Sequence, residues 1–264
     1  MQHVELYRWN QTLRNLFAIL LLAGLAWHFL HRTSDIPPDL YPYLYSLPAG
    51  LVVQAQIEGE RFGEDGWATL IALRSTVPEA EEKIAAQLKQ GRTFQHINWN
   101  GISPEQVKLI KHRRGLLLKY PYFKPKYFTF PVLGKYWYED TFGANREGGK
   151  RKHEGTDIFG LEGTLLVSVS SGQIEQLGWN RLGGERVGIR GDDGNYYYYA
   201  HLQTIAPGLH IGMRIAKGQI IGTMGHTGDA LTTPDHLHFG IEIANGIWIN
   251  PYPLLKVWEQ HKLE

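Results

Sequence analysis

From Gly163 to Ile243 the chain runs in short alternating stretches divided by glycine. "GTLLVSVSSGQIEQLGW" leads into "ERVGIR", "GDDG" and "NYYYYAHL", and "LHIGMRIAKGQIIGTMG" alternates again. Alternation with period two buries one side of a β-strand and gives a helix no continuous apolar face. The run Gly191–Gly194 between two such stretches reads as a hairpin turn. Thirty glycines chain-wide supply turns at the spacing of many short strands. The expected fold is mainly β, with a C-terminal antiparallel sandwich or barrel-like domain over 121–256 and a tail over 257–264. No repeat of fixed period stands out.

The first half of the chain has a different texture. "NLFAILLLAGLAWHFL", Asn15–Leu30, is a near-unbroken apolar run. As a helix it would span about 24 Å, a little short of a ~30 Å hydrocarbon core. Arg8 and Arg14 precede it and Arg32 alone follows closely, which favours an N-inside membrane anchor over 1–32. The alternative is a signal peptide cleaved after Gly24 and Ala26, leaving a secreted protein. The proline- and tyrosine-rich segment 33–50 reads as a linker. Residues 51–120 read as a small, mostly helical region. One helix is expected from Thr76 as N-cap, with Glu79 three residues on, to Gly91 as its stop. A second runs from Ser103, with Pro104 at its first position and Gln106 closing a capping box, to Gly115. No chemistry is legible in this region.

A net charge of +1 and the absence of any long Lys/Arg run give no case for a nucleic-acid partner. Zero cysteines exclude a disulfide framework, a thiolate metal site and a cysteine nucleophile. The chemistry-bearing residues are histidines and one aspartate. In "PDHLHFGIE" a strand would put His236, His238, Gly240 and Glu242 on one face and Leu237, Phe239 and Ile241 on the other. The two imidazoles would stand roughly 7 Å apart along the strand. "KHEGTDIF" offers His153 and Asp157, with Gly155 between them arguing for a loop that enters a strand. His201 follows the hairpin in "YYYYAHL". Two imidazole nitrogens and a carboxylate suit a catalytic zinc ion better than magnesium or calcium. Residue types and spacing leave open which three of these five would bind it. Tyr196–Tyr199 are expected to divide between core and surface, and His226 and Asp192–Asp193 to be loop and turn residues.

The segments "FTFPVLGKYWYEDTFGANREGGKRKHEGTDIF", "YYYYAHL", "IAKGQIIGTMGHTGD" and "TTPDHLHFGIE", in that order, resemble the LytM/lysostaphin-type zinc peptidases, peptidase family M23. The resemblance covers about 128–255. It implies a mainly β metallopeptidase domain holding one Zn²⁺ per chain through His153, Asp157 and His238. His201 and His236 would then face the substrate as general base and oxyanion stabiliser, in either assignment. The implied activity is zinc-dependent hydrolysis of peptide bonds in peptidoglycan stems or cross-links, outside the cytoplasm, by a single-pass membrane protein. The alternatives are a latent or non-enzymatic wall-binding or activator protein on the same fold, and a zinc peptidase acting on protein. Asp235 stands where the family often has Pro, and a carboxylate there is expected to act on His236.

Overall fold

The structure, a computed structural model, describes residues 43, 47–59, 62, 66–119, 127–243 and 246–261. The expected anchor over 1–32 and nearly all of the 33–50 linker lie outside these residues. Among the described residues no helix is long and apolar enough to cross a membrane.

Among the described residues, four α-helices precede the sheet: α1 (Ala49–Gly59), α2 (Gly66–Arg74), α3 (Glu81–Lys89) and α4 (Pro104–Lys119). The capping box forms as expected: the Gln106 amide donates to Ser103 Oγ at 3.2 Å, and the Ser103 amide donates to Gln106 Oε1 at 3.1 Å. Two expectations need correction. Thr76 is not an N-cap; its hydroxyl donates back to the Ala72 carbonyl at 2.6 Å, closing the end of α2 instead. Gly115 does not stop α4. Leu116 and Leu117 beyond it are buried, and burying two leucines is worth more than the ~1 kcal/mol that a helical glycine costs.

Beyond residue 127 the described residues are dominated by one antiparallel sheet of eleven strands. Its strands are β1 (Val132–Leu133), β2 (Tyr136–Tyr138), β5 (Thr156–Gly160), β6 (Leu165–Val167), β7 (Gly172–Asn180), β8 (Gly184–Gly191), β9 (Tyr196–Ile205), β10 (Arg214–Ile215), β11 (Ile220–Met224), β12 (His236–Ile243) and β13 (Ile247–Ile249). A separate two-stranded ribbon, β3 (Asn145–Arg146) with β4 (Arg151–Lys152), precedes β5. The order β1-β6-β11-β9-β12-β5-β2 forms the main path, with β8, β7 and β10 continuing from β9. The barrel-like half of the expectation is the better description, because a single continuous sheet curls around its core. β8 and β9 form the expected hairpin, Arg190 facing Tyr196. Asp193 does more than turn the chain. Its carboxylate accepts from Tyr197 Oη at 2.6 Å and from Asn195 Nδ2 at 2.6 Å.

One strand changes partners. Tyr196–Ala200 of β9 pair with β12, whereas Leu202, Thr204 and Ile205 pair with β11. His201 falls at the switch, with φ +64°. A strand that leaves one neighbour for another must bend, and a bulge supplies the bend.

The buried cluster under the sheet includes Leu237, Phe239, Ile241, Tyr197 and Tyr199. It also takes in Val52, Ala55, Leu70 and Leu117 from the helices, and α5 (Tyr252–Trp258) packs against α1. Trp258, placed in a tail by the sequence reading, is fully buried and stacks on Phe128 with ring centroids 4.8 Å apart. The helical region has a smaller core of its own around Leu73, Ile84, Leu88 and Ile110. The boundary expected near 120–128 falls mostly outside the described residues.

Candidate metal centre and active site

β12 has the face-to-face alternation its sequence predicts. Leu237, Phe239 and Ile241 are fully buried, while His236, His238 and Glu242 line a cleft of about 340 Å³ on the other side of the strand. β5 lies beside it with His238 opposite Asp157, and β9 lies on the other side with His238 opposite Ala200. This antiparallel register, not the spacing in sequence, brings Asp157 against His238 and sets His201 one residue away.

His153, Asp157 and His238 converge on one point. His153 Nε2, Asp157 Oδ1 and His238 Nδ1 are each 3.0 Å from the other two. The His153 Nδ1 donates to the Thr141 carbonyl at 2.9 Å, so its Nε2 carries a lone pair. That lone pair faces a carboxylate oxygen, two acceptors with no proton between them, and His238 Nδ1 completes the triangle. A cation at the centre would satisfy all three ligand atoms at once. A tetrahedral zinc ion with bonds of about 2.0–2.1 Å would set its ligand atoms roughly 3.3 Å apart. The trio therefore fits zinc with a small outward adjustment. Burial by itself would push the Asp157 carboxyl up, but contact with the His153 and His238 imidazoles outweighs it and holds Asp157 well below the usual carboxylate range. Burial pushes the His238 imidazole down, towards its neutral, metal-binding form.

His201 and His236 stand beside the trio. Their ring centroids are 4.9 Å apart, and His236 Nε2 lies 3.9 Å from Asp157 Oδ1. Each donates its Nδ1 proton to a backbone carbonyl, His201 to Thr227 and His236 to Pro234, both at 2.8 Å. Both Nε2 atoms are thereby free. Burial, reinforced by the neighbouring histidines, pushes His201 down to about 3. At neutral pH it is an uncharged imidazole.

All five histidine and aspartate candidates thus meet in one cleft. Three contributors were not singled out from the sequence. Arg146 donates to Asp157 Oδ2 at 2.5 Å, leaving Oδ1 to the histidines and adding a positive charge to the site. Thr141 fixes the tautomer of His153. Thr227 receives the His201 proton while its hydroxyl donates to the Leu202 carbonyl at 2.7 Å and accepts from the Glu185 amide at 3.0 Å, stitching β8 to β9 around the switch. Its signal was present in the T-G of the glycine-rich run; the other two, 11 and 12 residues from their partners, carry no motif. The expectation for Asp235 does not hold. Its carboxylate pairs with His226 at 2.6 Å, because His236 has already turned its Nδ1 to Pro234. Tyr196 and Tyr198 line the cleft while Tyr197 and Tyr199 are in the core, as alternation requires.

Residues 151–251 match the profile of peptidase family M23. This segment is similar to M23 metallopeptidase domains. Over 146 residues the chain is 41% identical to an L-Ala–D-Glu endopeptidase of Bacillus subtilis, covering 52% of this chain and 45% of that protein. It is 36% identical over 104 residues to a peptidoglycan DD-endopeptidase of Vibrio cholerae, covering 39% and 23%. The chain thus spans less than half the length of these curated relatives. A solved structure from Ruminococcus gnavus, described as a glycyl-glycine endopeptidase, superposes with TM-score 0.56 at 25% identity. That superposition covers 83% of this chain and 94% of the other, so it reaches beyond the M23 domain. The family resemblance read from the motifs is borne out over residues 151–251.

Proposed function

We propose that the chain is a zinc-dependent endopeptidase that hydrolyses peptide bonds in peptidoglycan, working outside the cytoplasm. The observation that carries this reading is the meeting of three ligand atoms at 3.0 Å with two free histidine Nε2 atoms in one cleft. Bound through His153, Asp157 and His238, zinc would supply Lewis acidity and lower the pKa of water towards neutrality. The protein's own groups do the rest. His201, uncharged and aimed by Thr227, accepts a proton at Nε2 from the attacking water. His236, its ring 4.9 Å from that of His201 and its Nδ1 proton held by the Pro234 carbonyl, would stabilise from Nε2 the oxygen where negative charge develops. Arg146 keeps Asp157 from turning its second oxygen inward.

The names of the relatives favour peptidoglycan, and that of the Bacillus subtilis protein puts the L-Ala–D-Glu bond first among those to test. The apolar run at 15–30 supports a tether that would hold the enzyme near the wall polymer. Zinc-loaded full chain and a His238→Ala control, incubated with purified peptidoglycans of several cross-link types, test the reading through the new termini seen by mass spectrometry. Zinc-dependent cleavage lost in the control is expected. Intact polymers with zinc bound at one per chain would overturn the peptidase reading in favour of a scaffold or activator.

A further inference from the structure

Beyond the cleft, the catalytic face of the sheet ends in an aromatic shelf. Trp137 on β2 lies opposite Phe159 on β5, and Phe159 lies opposite His236 on β12. Register partners project from the same face of a sheet, so the three rings stand in a row on the face that carries Asp157 and His238. Trp137 and Phe159 are stacked, with centroids 4.3 Å apart and planes at 12°. Phe159 meets His236 at 5.2 Å. Yet Trp137 is 58% exposed, and its indole N–H meets no partner among the described residues. A large ring left open on an edge strand, braced from beneath and continuous with a reactive histidine, is a feature that folding alone does not reward.

We propose that Trp137, one face stacked on Phe159 and the other open, is a binding shelf for a sugar ring of the glycan strand that carries the scissile stem peptide. The inference rests on the peptidoglycan reading above and deepens it. Stem peptides and glycine bridges are made of small and charged residues and offer nothing flat to an indole. The N-acetylated hexoses of the same polymer present an apolar C–H face of the size of an aromatic ring, and hydroxyl and amide oxygens that an indole N–H can reach. The distances agree with a cut near the glycan. Adjacent strands are about 4.8 Å apart, so Trp137, two strands over, stands roughly 10 Å from His236. The first stem residue joins the sugar through a lactyl ether. With about 3.5 Å per residue, the ring then lies about 7 Å from the first internal peptide bond of the stem. A cut at the fourth residue would leave it roughly 14 Å or more away, past the end of the shelf.

The test compares two substrates of one stem sequence, a disaccharide-bearing muropeptide and the sugar-free peptide, with zinc-loaded full chain. For Trp137→Ala the ratio of kcat/KM on muropeptide to that on free peptide should fall about tenfold, and Trp137→Phe should recover most of it. An unchanged ratio would overturn the shelf. Titration of the muropeptide into His201→Ala, and into the same variant carrying Trp137→Ala, reads binding without turnover. About tenfold weaker binding in the double variant is expected, and equal binding would overturn the proposal. If the wild type cuts neither substrate but the titrations still differ, the peptidase reading fails while the shelf stands.

Discussion

His153 donates one N–H to a backbone carbonyl, and the geometry of the candidate metal site follows from where that proton points. With Nδ1–H committed to Thr141, the ring can offer the centre nothing but a lone pair. Arg146 applies the same logic to Asp157 by occupying one of its two oxygens. Outer partners of this kind typically contribute 10–100-fold to metal affinity. Arg146→Gln should therefore weaken zinc binding by about that factor, measured by competition with a chelator, while His238→Ala should abolish stoichiometric zinc in elemental analysis. Truncating either non-ligand histidine should leave zinc at one per chain and lower kcat by about 10²–10⁴, the range typical of a lost acid or base. His201 also predicts a pH dependence of stability. It titrates near 6.5 when unfolded and at about 3 when folded, so the unfolded chain binds the extra proton. Its contribution is complete above pH 6.5 and is lost as pH falls towards 3. Urea denaturation of zinc-free protein at pH 7.5 and pH 4.5 should show a larger loss for the wild type than for His201→Gln.

At the scale of elements, the site is a product of strand register and one bend. β12 and β5 set His238 against Asp157, and β9 turns at His201 from one neighbour to the other. A positive φ on a non-glycine residue costs of order 1–3 kcal/mol and persists where the surroundings over-determine it; here Thr227 and the ladders on both sides do so. Replacing His201 by Gly should relieve that strain and raise stability at pH 7.5, visible as a higher denaturation midpoint, even as activity is lost. The turn into β5 is equally constrained. A Cβ on Gly155 would lie 2.6 Å from both the His238 ring and the Phe239 carbonyl. Gly155→Ala should consequently displace His238 and impair zinc binding by at least tenfold, in a fold whose circular dichroism is otherwise preserved.

For the molecule as a whole, the helices and the sheet of the described body share a core. Trp258 from the last helix stacks on Phe128 and touches Tyr197 and Phe239, and α5 rests on α1. A peptidase domain cut out at residue 127 would expose the α5 face that α1 covers. Such a fragment should melt well below the full chain, measured by calorimetry. Trp258→Ala should destabilise the full chain by ~3–5 kcal/mol, the usual cost of emptying a large aromatic site. Helices and strands should be lost together in that variant, since a shared core makes their unfolding one cooperative event.

Alternation, glycine punctuation and the order of three short motifs carried a great deal. From them came the mainly β class, the apolar and catalytic faces of β12, the hairpin at 191–194, and all five histidine and aspartate residues of the site. These are local or periodic properties, and a residue's side-chain direction in a strand follows from counting by two. Tertiary structure decided what counting cannot reach. Register set His238 beside Asp157 and Trp137 beside Phe159, because pairing is chosen by the whole sheet. The bend at His201 arises from a strand that must serve two neighbours. Arg146 and Thr141 became part of the metal centre through contacts that no spacing announces. Leu116, Leu117 and Trp258 overrode a glycine stop and an expected tail for a single reason: the core they fill is built by segments far away in the chain.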